Sequence, residues 1–473
     1  MIDITMGSNV SLYQQIYEQL KNKIISGELE EGTRLTSTRA LAKNLCVARN
    51  TVESSYAQLC VEGYVSSKPG SGYYVMNVAD DSLFTDLAPP MEKSSEKVRA
   101  VARVESAEYT HDFQFYNLEH ASFPFALWRR LSAEALASFD ARKICFYNDK
   151  QGEPDLRAEI TKYVRDSRGV RCTPDQVVLC CGTQHALDVI CTLFHDGNRK
   201  VAVEEPGYDG AKIIFKKNDF EILSIPVGPE GIDLDELERT STQLTYITPS
   251  HQFPTGVVMP IHKRVQLLQW ATKRDGIIIE DDYDSEFRYH TRPIPSLHST
   301  DTNGRVIYKG TFSKSLSPGL RMSYIILPEW LLPKYHTIFA GYNATISWFQ
   351  QKIISLYMER GHWERHIRKV CLHNKKKHDT LIKAIHEQLG DRVRIHGNNA
   401  GLHFLLEFVQ GEKQEWLIEK AREHKVRVYP TLPYWHRKER CRENFILMGF
   451  SMLSEKEIVE GIALLKKAWF EQQ

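Results

Sequence analysis

Leu12, Ile16, Leu20 and Ile24 recur every fourth residue with polar residues between them. That period predicts an amphipathic helix with one apolar stripe. Ser11 stands at its N-cap position with Gln14 three residues on, the spacing of a capping box, and Gly27 suits the left-handed position that ends a helix. A second helix is predicted from near Ser37, with Leu41, Ala42 and Leu45 inward. A third is predicted over Arg49–Glu62, with Val52, Tyr56, Leu59 and Cys60 inward and Gly63 as its stop. Tyr64-Val65-Ser66 and Gly72-Tyr73-Tyr74-Val75 flank Lys68-Pro69-Gly70-Ser71, two short strands around a turn, hence a hairpin. Three helices and a hairpin make a winged helix-turn-helix over residues 1–76. The pattern lapses over residues 77–110, where Pro89-Pro90, Ser94-Ser95 and many charges read as a linker. It changes again over residues 111–473. Val177–Cys181, Lys200–Val203, Leu244–Thr248, Gly276–Ile279, Val306–Tyr308 and Met322–Leu327 are short apolar runs. Helical stretches such as Gln184–His195 and Ile261–Arg274 lie between them. This alternation predicts an α/β unit on a mostly parallel sheet covered on both faces, with functional residues just past the strand ends.

Composition narrows this picture. The chain has 473 residues, 42% hydrophobic and 26% charged, as soluble globular proteins do. Lys and Arg number 61 against 60 Asp and Glu, which excludes a polybasic or acidic-tail protein. No run approaches the roughly 18 consecutive apolar residues of a membrane helix. Asp3, Gln14, Glu18 and Lys21 near the start argue against a signal peptide. The nine cysteines contain no C-x-x-C pair, so no metal site or disulfide framework is read, and a reducing cytoplasm is the expected location.

The predicted third helix opens with Arg49, Asn50 and Thr51, types suited to guanine, adenine and the DNA backbone. In a helix-turn-helix this end enters the major groove. Arg34, Arg39 and Lys43 are candidates for phosphates, Ser37 starts the second helix, and Lys68 and Gly70 sit at the wing turn. Residues 32–75, GTRLTSTRALAKNLCVARNTVESSYAQLCVEGYVSSKPGSGYYV, resemble the GntR-type DNA-binding module. Thr36 stands where that family has Pro, and Ala48 where it has Ser. Ala48 leaves the third helix without a side-chain cap worth about 0.5–2 kcal/mol.

The sharpest chemistry follows the later apolar runs. Gly182-Thr183-Gln184 opens a helix after Cys181, a turn whose backbone N–H groups suit a phosphate. Glu280-Asp281-Asp282-Tyr283 follows one strand and Lys309-Gly310-Thr311-Phe312-Ser313-Lys314 another, with Arg321 soon after. Pyridoxal phosphate needs an amine for its aldehyde, a carboxylate for its ring nitrogen, a donor for its phenolic oxygen, and cations and hydroxyls for its phosphate. Lys314, Asp281, Tyr283 and Arg321 with Thr311 match these needs in turn. The 33-residue spacing of Asp281 and Lys314 fits one strand–crossover–strand unit. Tyr208, past another strand, is placed to stack on the ring.

YNDKQGEPDLR (147–157), CGTQHALD (181–188), EEPGYDG (204–210), TPSHQFPTGVVMP (248–260), IIEDDYDSEFRY (278–289) and KGTFSKSLSPGLRMSY (309–324) resemble the motifs of fold-type-I aminotransferases. The whole chain resembles more closely the MocR/GabR group of bacterial regulators, which joins a GntR-type module to an aminotransferase-like domain. The resemblance implies a winged helix-turn-helix, a large pyridoxal-phosphate-binding domain and a smaller C-terminal α+β subdomain. It implies a Schiff base at Lys314, Asp281 at the ring nitrogen and Tyr283 at the phenolic oxygen. Arg321, Thr311, Gly182, Thr183 and Gln184 would hold the phosphate, and Tyr208 would stack on the ring. Tyr147 matches a tyrosine that reaches the phosphate from a partner subunit, so a homodimer is expected. Phe253 replaces the aminotransferase Asn, so His251 or Gln252 would stand in for it. Arg442 is the candidate for a substrate carboxylate, with Arg437 and Arg440 as competitors. The GABA-responsive member carries a further arginine after the Glu-Pro-Gly-Tyr motif. Asp209 and Gly210 here point instead to pyridoxal phosphate or a neutral amino compound as effector. The expected function is a regulator of transcription that binds double-stranded operator DNA and senses pyridoxal phosphate, an amino compound, or both. The alternative is a working aminotransferase carrying an autoregulatory DNA-binding module, which Phe253 disfavours.

Overall fold

The computed structural model describes residues 2–5, 10–77, 109–138, 145–289 and 294–471. The stretch read as a linker lies outside them except for Asn77, Tyr109 and Thr110. The chain divides into two compact units, Met1–Glu105 and Ser106–Gln473.

In the first unit, α1 (Leu12–Ile25), α2 (Thr38–Leu45) and α3 (Arg49–Val61) precede β1 (Val65–Lys68) and β2 (Gly72–Val75), which pair antiparallel. Ile16, Leu20 and Ile24 bury the stripe of α1 against Leu41, Val52, Tyr56 and Leu59, and Val65 and Val75 close the core from the hairpin. The expected capping box on α1 is absent. Ser11 holds the N-cap position with no side-chain capping bond. The Gln14 amide instead donates to Glu18 Oε1 at 3.1 Å, a pairing one turn along an exposed helix face. Ser37 does cap α2, its Oγ accepting from the Ala40 N–H at 3.2 Å. Ala48 leaves α3 uncapped, as its side chain dictates. Arg34 bridges to Tyr74, so the segment before α2 runs along the wing.

In the second unit, β3 (His111–Asp112) pairs with Val426–Arg427 apart from the main sheet, and strands β4 (Val177–Cys180), β5 (Lys200–Glu205), β6 (Glu221–Gly228), β7 (Gly231–Ile232), β8 (Leu244–Ile247), β9 (Ile277–Asp282), β10 (Val306–Thr311) and β11 (Ser323–Ile326) form one sheet, in the order β4-β11-β10-β9-β8-β5-β6-β7. The ladders from β10 across to β6 are parallel, while β11 runs antiparallel to both its neighbours and β7 antiparallel to β6. Side chains alternate across the sheet as the pleat requires. Ile277, Ile279 and Ile307 pack into one apolar cluster, and Ile278 and Val306 into another on the opposite face. A four-stranded antiparallel sheet, with the helices His362–Leu389 and Glu455–Phe470 packed against its core, makes the smaller C-terminal subdomain. Within the described residues no helix is long and apolar enough to cross a membrane.

Candidate functional site

Parallel strands that end on one edge collect their following loops there. The loops after β4, β5, β8, β9 and β10 enclose a cavity of about 590 Å³. Lys314, Asp281, Tyr283, Tyr208, Thr183, Gln184, Thr311 and Arg321 line it.

The run Glu280-Asp281-Asp282 is sorted by the period of two. Asp282 points to the far face, where Arg168 Nε donates to it at 2.6 Å and the Tyr308 hydroxyl at 2.6 Å. Glu280 accepts the backbone N–H groups of Leu297 and His298 at 2.7 and 2.8 Å, and burial pushes its carboxyl up to about 7. Asp281 alone of the three faces the cavity. Its Oδ2 accepts from the Tyr246 hydroxyl at 2.6 Å and its Oδ1 from Lys309 Nζ at 2.8 Å. Burial holds the Tyr246 hydroxyl far above the usual phenol range, so it remains a donor.

Lys314 Nζ donates to the Phe115 carbonyl at 2.7 Å. Burial lowers its amine to about 8, against the opposing pull of Asp284. The amine is therefore far closer to its neutral, nucleophilic form at neutral pH than a surface lysine is.

Gly182 opens the helix Gly182–Leu193 at φ +78°, and a Cβ there would lie 2.4 Å from Arg321 Nη2. The missing side chain lets the guanidinium close over the first turn of that helix. The start of that helix, the side chains of Thr183, Thr311 and Ser313 and Arg321 thus line the same cavity, the donor types that a phosphate monoester requires. An amine, a carboxylate and an anion cradle in one cavity fit pyridoxal phosphate. Tyr208, raised to about 12 by burial, packs edge-on against Phe253 at 6.2 Å and completes an aromatic wall.

Three expectations change. His251 does not line the cavity: it is buried behind Tyr283, whose hydroxyl donates to the His251 carbonyl at 3.0 Å, and its Nδ1 pairs with Asp284 Oδ2 at 2.8 Å. Gln252 is not free to replace the missing Asn either, since its amide donates to the Pro206 and Phe253 carbonyls at 2.8 and 2.7 Å. Arg442 and Arg440 line a separate cavity of about 850 Å³, beside His396 and Trp435, and not the one that holds Lys314. Tyr147 is 83% exposed and lies outside the Lys314 cavity of its own chain.

Sequence reasoning missed Lys309, Tyr246 and Phe115, which touch the predicted residues directly, and the cluster of His251, Asp284 and His403. The ligand-type atoms of that cluster lie within 4.8 Å of one another, where the reading of the chain expected no metal site. Burial and the nearby His251 and Lys314 hold the His403 imidazole well below its ordinary range.

In the first unit, Arg34, Ser37, Arg39, Lys43, Arg49, Asn50, Lys68 and Gly70 are exposed and Thr51 is half-buried. Arg49 Nε pairs with Glu53 Oε1 at 2.7 Å one turn along α3. Lys68 Nζ lies 4.8 Å from the Tyr74 ring centre on the wing.

Residues 116–445 match the aminotransferase class I and II family, and residues 12–75 the gntR family of bacterial regulatory proteins. The chain is 39% identical over 465 residues to the HTH-type transcriptional regulator YdeL of Bacillus subtilis, covering 98% of this chain and 97% of YdeL. It is 31% identical over 476 residues to the probable rhizopine catabolism regulatory protein MocR of Rhizobium meliloti, covering 99% and 96%. Among solved structures, the multiple substrate aminotransferase of Thermococcus profundus superposes with a TM-score of 0.70 at 26% identity, over 82% of this chain and 98% of that one. The alpha-aminoadipate aminotransferase LysN of Thermus thermophilus, solved with N-(5'-phosphopyridoxyl)-L-leucine, superposes with a TM-score of 0.66 at 28% identity, over 76% and 91%.

Proposed function

The chain belongs to the MocR-type transcriptional regulators, in which a GntR-family DNA-binding module is fused to an aminotransferase domain, and from that premise we propose that it senses pyridoxal phosphate or an amino compound at Lys314 and passes the state of that site to its grip on operator DNA. Pyridoxal phosphate is the cofactor of the larger unit; when bound it supplies an aldehyde carbon and an electron-withdrawing ring. The observation that carries the reading is the buried Lys314 amine sharing one cavity with Asp281 and Arg321, in a chain that also bears an exposed α3 N-terminus. Lys314 would present the amine, Asp281 would hold the ring nitrogen, Arg321 with Gly182, Thr183, Gln184 and Thr311 would anchor the phosphate, and Tyr208 would cover the ring. The adjacent exposed Phe146 and Tyr147 support a homodimer in which Tyr147 serves the partner's site. A bacterial regulator of this kind acts on DNA in the cytoplasm.

A ligand shifts DNA binding only through its differential affinity for two states, typically about 1–3 kcal/mol. Footprinting of the upstream DNA by the full-length protein, with rising pyridoxal phosphate and with amino compounds, tests the reading. A changed affinity or protected length is expected, and identical footprints throughout would overturn it. A second reading, a working aminotransferase, is favoured by one observation: an amine near pKa 8 exchanges protons readily at neutral pH. Steady-state turnover of roughly 1–10³ s⁻¹ with an amino donor and a keto acceptor would establish it.

The rate at which the protein captures pyridoxal phosphate follows the neutral fraction of the Lys314 amine. Below about pH 8 it rises close to tenfold per pH unit, and above pH 8 it levels off, where an ordinary lysine would keep gaining to about 10.5. Stopped-flow absorbance across pH 6–10 reads this, and a rate still climbing at the top of the range would contradict the burial argument. Arg49→Ala weakens binding to the specific operator by about 1–3 kcal/mol if the guanidinium reads a guanine edge. Gel-shift titrations against base-substituted operators check it, and an unchanged base preference would refute the contact.

A further inference from the structure

Lys309 lies within β10, in register with Asp281 on the parallel neighbour β9. Register partners on adjacent strands place their side chains on the same face. Its side chain is 0% exposed, and a lysine is almost never buried so fully unless it is paired. Its ammonium donates to Asp281 Oδ1 at 2.8 Å and to Thr183 Oγ1 at 2.6 Å. Tyr246 donates to the other Asp281 oxygen at 2.6 Å. The carboxylate that faces the cofactor's ring nitrogen therefore already has a cation and a phenol on it before any ligand arrives.

We infer that Lys309 is a positioning residue that acts as a built-in counter-ion for Asp281, keeping the empty site intact and weakening the carboxylate's hold on the ring nitrogen. This rests on the reading of Lys314 as the cofactor lysine. Without ligand, a buried carboxylate stripped of its cation is costly, and Lys309 removes that cost. With ligand, the ring N–H⁺ must share Asp281 with an ammonium 2.8 Å away, so protonation of the ring nitrogen is less favoured than beside a carboxylate with no cation on it. Both effects act in one direction: the difference in stability between loaded and empty protein shrinks. By linkage, the cofactor is held less tightly and exchanges with its free pool. A regulator that reports on vitamer or amine supply needs such an exchangeable site. Thr183 serves both sides, since its oxygen accepts from Lys309 while its own proton remains available to an anion in the cradle.

The experiment compares full-length wild type, Lys309→Met and Lys309→Met/Asp281→Asn. Methionine keeps an unbranched chain one heavy atom shorter than lysine and removes the charge. Lys314, Asp284, Arg321, Tyr208, Tyr283 and His403 surround the site unchanged in all three. Thermal melts of empty and loaded protein come first. Lys309→Met is expected to lower the melting temperature of the empty form more than that of the loaded form, and to bind pyridoxal phosphate on the order of tenfold more tightly. In the absorbance pH titration of the loaded protein, the midpoint falls by about one pH unit, because a more fully protonated ring disfavours a second positive charge on the conjugated system. Equal losses in both forms with an unmoved midpoint would overturn the inference. If Lys309→Met does not fold, the double variant decides. Recovery of the empty fold on removing the Asp281 charge supports the counter-ion role, and continued failure means that Lys309 acts by shape, which overturns it. A wild type that shows no vitamer absorbance would instead defeat the reading of Lys314 on which the inference stands.

Discussion

Lys314→Ala yields a protein without the absorbance of bound cofactor and without a response of its DNA binding to added vitamer, while its basal affinity for DNA persists. The first loss is total because the linkage needs a primary amine, and the Lys314 amine donates to the Phe115 carbonyl at 2.7 Å inside the same cavity as Asp281 and Arg321. Lys309 does not substitute: its nitrogen is engaged by Asp281 and Thr183 and fully buried. Stability should rise slightly or hold, since a lysine whose pKa is lowered by burial binds its proton more weakly folded than unfolded. The unfolded chain carries more protons between about pH 8 and the ordinary lysine value. Wild type therefore gains stability as pH climbs through that window, and the alanine variant loses this slope. Absorbance spectra, urea melts at pH 7 and pH 10, and gel shifts with and without pyridoxal phosphate read all three effects. Persistence of the cofactor band in the variant would show that another amine carries the linkage.

The sequence made the sheet readable where strands are buried on both faces, because such strands are continuous apolar runs. β4, β8, β9, β10 and β11 fall where those runs lie. β6 escaped because Ser224 and Pro226 interrupt its apolar residues and its burial is uneven, with exposed ends, half-buried flanks and a buried centre at Ser224 and Ile225, so no apolar run marks it. Asp281 and Lys314 were legible because their types recur at strand ends with motif spacing. Phe115 was not, since its carbonyl meets Lys314 across 199 residues and a backbone acceptor leaves no mark in the side-chain pattern. Lys309 did leave a signal, a charged residue continuing the apolar run Val306–Tyr308, but nothing local says what a buried ammonium is paired with. Arg442 shows the opposite failure. The resemblance gave a C-terminal arginine a role without a local motif to fix which one, and the fold places Arg442 on a different cavity from the one that Lys314 lines.

Tyr56→Ala should produce the reverse phenotype, a protein that takes up pyridoxal phosphate normally and no longer binds DNA. Tyr56 is 1% exposed at the centre of the first unit's core. Its ring meets Tyr73 of the wing edge-on at 4.9 Å, and its hydroxyl donates to the Thr36 carbonyl at 2.7 Å. One side chain thus ties α3 to the wing and to the segment that leads into α2. Truncating a buried aromatic costs about 3–5 kcal/mol, and loss of the hydrogen bond to the carbonyl of the exposed Thr36, which water can then satisfy, adds about 0.5–1.5 kcal/mol. A unit of this size holds only about 0.05–0.15 kcal/mol per residue, so the substitution consumes most or all of its stability. Tyr56→Phe separates the two terms, since it keeps the packing and removes only the hydroxyl. That variant is expected to retain operator binding with a melting transition lowered by a few degrees. Differential scanning calorimetry of the full chain, with gel shifts and cofactor absorbance on the same samples, distinguishes these outcomes. Operator binding by Tyr56→Ala at wild-type affinity would mean that the recognition helix stands without the core that the fold gives it.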